Sequence, residues 1–257
     1  MLFDLQAEAA RRLGFNEEEC ICPICGFSFG KNGLVDGTLS MEHVPPKSIG
    51  GKILLLTCKR CNSLSGSSFD HQFKAAERFF QFKNALVSGG DNSGASVKLK
   101  IDGLTLNALL TTKIGKVNFQ IGSEHNDSRD IEKYLPIWKK RGIRGFQLEY
   151  ESQFSIKKYK LALLKSAFLL VTAKLGYSYG LDEALIEVRK QIMEPKEDHF
   201  KIRFLNVAHA PHNGILVSED EGWVAVMLLG HVVPLPSPFP VGCDWEETIE
   251  KLASGTK

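Results

Sequence analysis

The sequence predicts an α+β protein, in which helices and antiparallel strands follow one another along a chain of 257 residues. Apolar residues at helical spacing, above all over residues 156–175, predict helices, and short stretches of alternating apolar and polar residues predict strands. A content of 43% apolar and 24% charged residues is typical of a globular chain that forms its core without disulfide bonds. The length allows one large domain or two modest ones.

The first 87 residues are predicted to contain two helices and an apolar strand. Apolar spacing predicts helices over residues 2–13 and 69–87, and residues 52–57 form a short apolar run typical of a strand. Residues 88–96, Ser-Gly-Gly-Asp-Asn-Ser-Gly-Ala-Ser, have the composition of a linker. We therefore expect one domain over residues 1–87 and a second over residues 97–257.

The region after the linker is predicted to be α+β, with antiparallel strands. Helical spacing predicts helices over residues 156–175 and 181–193. Alternation predicts strands over residues 97–101, 116–121 and 200–204, and a hairpin of residues 215–217 and 223–229 around the turn at residues 218–222.

The charge balance and the apolar stretches exclude two classes of protein. With 32 Lys and Arg against 30 Asp and Glu, the net charge of +2 excludes a strongly basic, histone-like nucleic-acid binder. The most apolar stretches, residues 161–173 and 224–236, are too short to cross a membrane, and Lys165 and Gly230 interrupt them. No secretory signal pattern is present at the N-terminus, so we expect a cytoplasmic protein with reduced thiols.

Four of the six cysteines form two Cys-x-x-Cys pairs, Cys22 with Cys25 and Cys58 with Cys61. Paired units of this kind in a reducing compartment predict a closed, tetrahedral zinc site of four thiolates. A redox pair is the alternative for either unit alone, but two units in one chain favour zinc. The 32 residues between the pairs exceed the spacing of a plain zinc ribbon, so a further element is inserted there. The two remaining cysteines, Cys20 and Cys243, are expected to be ordinary thiols.

Polar residues suited to catalysis lie inside and directly after this insertion. Glu42 and His43 are adjacent and precede a rigid Pro-Pro pair, and Asn62 follows Cys61 directly. A zinc-held scaffold could bring the carboxylate, the imidazole and the amide to one point. Taken alone, the Glu42-His43 pair is equally typical of an exposed turn.

Three motifs together, CPICG, EHVPPKSIGG and LLTCKRCNSLSG, resemble the HNH endonuclease family, and in particular its zinc-containing members. The resemblance covers residues 20 to about 71. It implies a ββα-metal unit, in which two strands and a helix surround one divalent cation, and an activity that hydrolyses the phosphodiester bonds of DNA. By this resemblance Glu42 and Asn62 bind a catalytic Mg²⁺ or Mn²⁺, His43 is the general base, and the four paired cysteines bind structural Zn²⁺.

The residue types suit that chemistry. Imidazole, whose ordinary pKa is about 6.5, can accept a proton from water near neutral pH. A hard divalent cation held by a carboxylate and an amide oxygen keeps most of its coordination positions open to water and phosphate. Four thiolates leave no open position on zinc, so its role would be structural.

Some positions allow alternatives. Many family members carry an Asn near the start of the second strand that orients the base; Lys52 or Ile53 stands there in this chain, so another group has to orient His43. In a second alignment, Asn62 is the middle residue and His71 is the metal ligand. Asp70 is a further candidate ligand, because an acidic residue recurs near this place in the most similar members. An exposed first helical turn is the alternative for Asp70 and His71.

Two basic clusters are candidates for holding nucleic acid. The first lies among aromatic residues and the second on the helix over residues 156–175; a solvated face is the alternative for both. Their members are Lys133, Lys139, Lys140, Arg141 and Arg144 in the first, and Lys157, Lys158, Lys160 and Lys165 in the second. The rival function for the whole chain is a catalytically inactive zinc module that binds nucleic acid or protein.

Overall fold

The computed structural model describes residues 2–16, 18–101, 103–113, 116–141, 147–150, 154–207, 214–218 and 223–237, without the side chains of residues 88, 92, 93 and 137–141. The chain forms two compact units, one of residues 1–74 and 155–257 and one of residues 75–154. In sequence the second unit is inserted within the first, and the predicted linker lies inside the second unit. That residues 1–87 fold as a domain of their own stays a prediction.

The first unit begins with a helix and two β-hairpins. Its elements are α1 (Leu2–Arg11), β1 (Glu19–Ile21), β2 (Ser28–Gly30), β3 (Leu39–Val44), β4 (Lys52–Cys58) and α2 (Lys59–Ser68), followed by α3 (Phe73–Ser88), which continues into the second unit. The pairs β1–β2 and β3–β4 are antiparallel. The predicted N-terminal helix and the strand over residues 52–57 are confirmed.

Helix α2 forms in a segment whose Ser and Gly content does not predict a helix. It follows β4 without a break, and the sulfur of Cys58 accepts a hydrogen bond from the backbone N–H of Cys61 at 3.4 Å, which caps the helix N-terminus.

The turn before β4 requires a glycine, because a Cβ at Gly51 would lie 1.4 Å from the carbonyl oxygen of Pro45. Only glycine fits there.

The second unit is an antiparallel sheet with helices. After α3 come β5 (Asn92–Ile101), β6 (Leu104–Lys113), β7 (Lys116–Gln120), α4 (Ser128–Arg141) and β8 (Gln147–Glu149), and the described strands lie in the order β7-β6-β5-β8. Leu99, Leu106 and Leu110 from its central strands are buried in its core with Tyr134 of α4. The predicted linker, residues 88–96, contains the last residue of α3 and the first half of β5.

The first unit resumes after the insertion. It contains α5 (Ile156–Leu175), α6 (Tyr177–Gly180), α7 (Ile186–Met193), β9 (Leu205–Asn206), β10 (Gly214–Ser218), β11 (Trp223–Leu228) and β12 (His231–Leu235), and these strands form an antiparallel sheet in the order β10-β11-β12-β9. Helix α5 has its predicted bounds, and the predicted hairpin is confirmed as β10 and β11. The turn between these strands, residues 219–222, lies outside the described residues.

Two predictions for this part are wrong: one helix begins later than expected, and one strand is absent from the described residues. The helix predicted from residue 181 begins only at Ile186, because Asp182 accepts a hydrogen bond from the N–H of Ala184 and starts a 3-10 turn first. The strand predicted over residues 200–204 is absent from the described chain there, and β9 follows it. The N–H of Phe200 donates to Oε1 of Gln191, which ties the segment to α7 instead of to a sheet.

Helix α5 is the centre of the first unit. Most of its residues are buried. It packs against β3 and β4, which precede it in the sequence, and against β11 and β12, which follow it. None of the helices in the described part of the chain has the length and hydropathy needed to cross a bilayer.

The side chain of Gln6 also joins the two sequence-distant parts of this unit. Its amide accepts a hydrogen bond from the N–H of Leu56 in β4 and donates to the carbonyl oxygen of the same residue at 3.2 Å. It donates as well to the hydroxyl of Tyr177 in α6 at 2.6 Å. One buried amide therefore connects α1, β4 and α6.

Candidate active site

The four paired cysteines meet at one point, which we call the thiol cluster: Cys22, Cys25, Cys58 and Cys61. Their sulfur atoms lie within 4.8 Å of one another, and those of Cys25 and Cys58 are 3.8 Å apart. In a tetrahedral site with zinc–sulfur distances of about 2.3 Å, the sulfurs lie about 3.8 Å apart. The thiol cluster could therefore hold zinc, and its residues fit that ion.

Hydrogen bonds within the thiol cluster favour thiolates at two of its members. The hydrogen bond from Cys22 is the largest influence that lowers the pKa of Cys25 and of Cys58. The thiolate is the form that binds a metal. Cys20 lies outside the cluster, and its burial raises the pKa of its thiol to about 11, as expected of an ordinary buried cysteine. Cys243 lies outside the described residues.

Strands β3 and β4 place Glu42 on the inner face of a ββα arrangement with α2. Glu42 is buried, and its Oε2 accepts a hydrogen bond from the hydroxyl of Thr57 at 3.2 Å. Thr57 lies opposite Ser40 in the pairing of the strands, and the hydroxyl of Ser40 accepts a hydrogen bond from the amide nitrogen of Asn62 at 2.9 Å. The hairpin therefore links Glu42 to Asn62 through two hydroxyl-bearing residues.

A lysine from α5 completes this inner face. The ammonium nitrogen of Lys165 donates to Oε1 of Glu42 at 2.9 Å and to Oδ2 of Asp70 at 2.6 Å. We call Glu42, Asp70 and Lys165 the buried triad, because their side chains are 5%, 12% and 2% exposed. The sequence analysis assigned Lys165 to a surface cluster; this was wrong, because the residue lies on the buried side of α5.

The charges of the buried triad depend on one another. Burial by itself would lower the pKa of Lys165, but the neighbouring carboxylates of Asp70 and Glu42 outweigh burial and raise that pKa above its ordinary value. Burial raises the pKa of Glu42, and the attraction of Lys165 offsets only part of this rise. Lys165 is therefore held in its charged form between its two partners.

The oxygen atoms of this face fit a hard divalent cation. Oδ1 of Asp70 is buried and, among the described residues, has no hydrogen-bond partner. A buried carboxylate oxygen without a donor is costly unless a cation or water satisfies it. Carboxylate and amide oxygens, here from Glu42, Asp70 and Asn62, are ligands that Mg²⁺ and Mn²⁺ prefer.

His43 lies beside Glu42 at an irregularity in the hairpin. Glu42 pairs with Leu55 and His43 with Ile53, so Leu54 is left without a partner and β4 has a β-bulge at this point. The imidazole is partly buried, and within the described chain no hydrogen bond joins it to Glu42, Asn62 or any other residue. Residues that follow each other in a strand face opposite sides, so regular alternation along β3 would direct His43 away from the face that Glu42 occupies.

The two alternative ligands predicted after α2 have different surroundings in the structure. Asp70 and His71 both belong to a 3-10 turn between α2 and α3. Asp70 turns inward to Lys165, whereas His71 is exposed. An exposed turn therefore describes His71 but not Asp70.

The first basic cluster is described only in part. Lys139, Lys140 and Arg141 belong to α4, but their side chains, like all of Arg144, lie outside the description. Lys133 lies 3.6 Å from Asp130 in an exposed ion pair. That these residues bind nucleic acid stays a prediction.

The second basic cluster forms contacts within the first unit. Lys157 donates to Asp198 at 2.8 Å, and the ammonium group of Lys160 lies 5.8 Å from the ring centre of Phe204. With Lys165 buried, Lys158 is the exposed member of the cluster for which the structure gives no ion pair among the described residues.

Three residues of the inner face were missed by the sequence analysis: Ser40, Thr57 and Lys165. Thr57 and Ser40 are common types with no motif around them. Lys165 did carry a signal, because it is the one charge in the run Leu-Ala-Leu-Leu-Lys-Ser-Ala-Phe-Leu-Leu-Val. A charge in the middle of a buried helix requires a buried partner.

The comparison with protein families agrees with this geometry. Residues 20–77 match the family model described as HNH endonuclease. The matched segment contains the thiol cluster, Glu42, His43, Asn62 and Asp70, and Lys165 lies outside it. No curated protein and no solved structure gives a significant match to the chain. Residues 20–77 are thus similar to HNH endonucleases, and their four clustered cysteines are consistent with the zinc-containing members of that family.

Proposed function

We propose that this protein is a divalent-metal-dependent endonuclease that hydrolyses phosphodiester bonds of DNA. The observation that carries the proposal is the buried Glu42 on the ββα arrangement of a segment that matches HNH endonucleases. Through Lys165 it is connected to Asp70, whose Oδ1 has no hydrogen-bond donor in the part of the chain that the structure describes. The family match supports a nuclease-type function in general. The reducing cytoplasm is the proposed compartment, since the thiol cluster can bind zinc only with its cysteines reduced.

Three side chains would hold the catalytic Mg²⁺ or Mn²⁺. Glu42 and Asn62 are the proposed ligands, and the position of Asp70 favours it, rather than His71, as a third. When bound, the cation supplies Lewis-acid stabilisation of charge on the phosphate and on the leaving oxygen. Thr57 and Ser40 hold Glu42 and Asn62 through hydrogen bonds, so these ligands are ordered beforehand.

His43 would act as the general base. One of its ring nitrogens takes the proton from the attacking water while the water oxygen bonds to phosphorus and the bond from phosphorus to the leaving sugar oxygen breaks. The β-bulge beside Glu42 is the feature that can turn the imidazole towards the face of its neighbour. The thiol cluster takes no part in these steps, because four thiolates complete the coordination of zinc.

The test is cleavage of plasmid DNA with Mg²⁺ or Mn²⁺ by the wild type and by His43→Ala. We expect His43→Ala to lose about 10²–10⁴-fold in rate, which is the usual contribution of a positioned base. His125→Ala removes an exposed histidine of the second unit and should cleave like the wild type. Equal rates for the wild type and His43→Ala would refute the proposed mechanism.

A catalytically inactive zinc module that binds nucleic acid or protein is the second candidate. It is favoured by the absence, among the described residues, of a hydrogen bond that orients His43, and by the ammonium group between Glu42 and Asp70. Both candidates predict one firmly held zinc ion. Only the nuclease predicts a weaker Mn²⁺ site that is lost in Glu42→Ala.

A further inference from the structure

Lys165 contacts two of the proposed metal ligands. Lys165 is presented by α5, outside the segment that matches HNH endonucleases, yet its ammonium group contacts carboxylates from β3 and from the turn after α2. Its side chain is 2% exposed, so it is almost entirely shielded from solvent. The ammonium group therefore occupies the space between Glu42 and Asp70.

We propose that Lys165 is a positioning residue of this site, which holds Glu42 and Asp70 together and competes with the divalent cation for their oxygens. The inference rests on the proposed function, because that function assigns Glu42 and Asp70 to the cation. It assigns to α5 a direct influence on how tightly the site binds metal.

Most of the carboxylate oxygens that would bind the cation already accept a hydrogen bond. Both oxygens of Glu42 already accept a hydrogen bond, Oε1 from Lys165 and Oε2 from Thr57. On Asp70, Oδ2 accepts from Lys165, and Oδ1 accepts no hydrogen bond from any residue that the structure describes. A cation bound by both carboxylates therefore displaces Lys165 from at least one oxygen or shares that oxygen with it.

The charges indicate the direction of the effect. With both carboxylates ionised, the buried triad has a net charge of −1, and it would have −2 without the ammonium group. Like charges a few ångströms apart repel strongly in buried surroundings, so Lys165 weakens the binding of a dication. In return it keeps two neighbouring carboxylates in one arrangement when no metal is bound, because their mutual repulsion would otherwise separate them.

The experiment compares Lys165→Met with the wild type in their zinc-loaded forms. Binding of Mn²⁺ is measured from the electron paramagnetic resonance signal of the free ion, and thermal unfolding is followed with and without Mn²⁺. We expect the Kd of Lys165→Met for Mn²⁺ to be lower than that of the wild type by at least about tenfold. The metal-free variant should melt below the wild type, and Mn²⁺ should raise its Tm by more than it raises that of the wild type.

Two further variants serve as controls. Lys158→Met removes an exposed lysine of the same helix and should leave both the affinity for Mn²⁺ and the Tm unchanged. Lys165→Arg retains the positive charge and should therefore bind Mn²⁺ more weakly than Lys165→Met does. If Lys165→Met does not fold, Lys165→Gln takes its place in the experiment, and we again expect a Kd for Mn²⁺ at least about tenfold lower than that of the wild type.

The outcomes separate this inference from the proposed function. An affinity of Lys165→Met for Mn²⁺ within about threefold of the wild type, with an equal effect of Mn²⁺ on both Tm values, overturns the inference even if His43-dependent cleavage is observed. Tighter binding of Mn²⁺ by Lys165→Met in a protein that does not cleave DNA supports the inference and refutes the proposed function.

Discussion

The thiol cluster and the buried triad adjoin the same strand but are assembled in different ways. Cys58 ends β4, and Thr57, which precedes it, donates to Glu42 of the triad. The thiol cluster needs two short turns, each of which brings two cysteines together. The triad needs residues 42, 70 and 165, and the last follows the first by 123 residues. The comparison shows why a local ligand motif is visible in a sequence and a buried ion network is not.

The two clusters also differ in what they contribute to stability. Metal binding by thiolates contributes directly to the free energy of folding, because the site does not exist in the unfolded chain. A buried ion network contributes little on balance, because desolvation offsets the attraction between its charges. The thiol cluster should therefore be required for folding, whereas the buried triad should mainly determine which groups meet in the site.

Loss of one zinc ligand should give the largest effect. Cys58→Ala removes a thiolate and the N-terminal cap of α2, and we expect it to lose zinc and most of its stability, since structural zinc is worth on the order of 10 kcal/mol. Zinc content by mass spectrometry and unfolding by circular dichroism measure both quantities. Cys20→Ala is the matched control, because Cys20 is equally buried but lies outside the cluster. A Cys58→Ala protein that kept its zinc and its Tm would show that the thiol cluster is not required for folding.

Substitutions in the buried triad should give an intermediate effect that depends on charge balance. Lys165→Met alone leaves two buried carboxylates without their cation and should cost about 3–5 kcal/mol in urea unfolding without Mn²⁺. Combined with Glu42→Gln and Asp70→Asn, it removes all charges at once, and the triple variant should recover most of that stability. If the triple variant were as unstable as Lys165→Met, the triad would be required for folding like the thiol cluster. The two clusters would then not differ in what they contribute to stability.

The smallest effect is expected for Gln6, which lies beside β4 but belongs to neither cluster. Gln6→Ala leaves the buried N–H and carbonyl of Leu56 without their partner, at a cost of about 1–3 kcal/mol. Hydrogen exchange at the amide of Leu56 should become faster, while zinc content and the affinity for Mn²⁺ stay as in the wild type. A change of more than about threefold in either binding property would show that the two clusters are coupled through β4.

Local patterns predicted much of the fold. Helix α5 and the strand over residues 52–57 follow apolar spacing that a single segment displays, and both are confirmed. The strand predicted over residues 200–204 was wrong, because the backbone of Phe200 is satisfied by a side chain of α7 that the pattern does not show. The thiol cluster was likewise visible in the Cys-x-x-Cys spacing.

The candidate site was less visible. The motifs gave the positions of Glu42 and Asn62 but not the pairing of Glu42 with Lys165, because no sequence pattern connects β3 to α5. His43 lies beside a β-bulge, and residue types alone do not place a bulge. Long-range packing and backbone irregularity therefore account for what the sequence did not show.

The order of the buried triad along the chain matters for biosynthesis. Lys165 follows Asp70 by 95 residues, and the entire second unit is translated in between. At roughly 5–20 residues per second, a nascent chain exposes both carboxylates for roughly 5–20 s before their ammonium partner is made. A truncated product that ends within residues 75–154 would contain every motif of the HNH-like segment and still lack the lysine that neutralises its acidic pair.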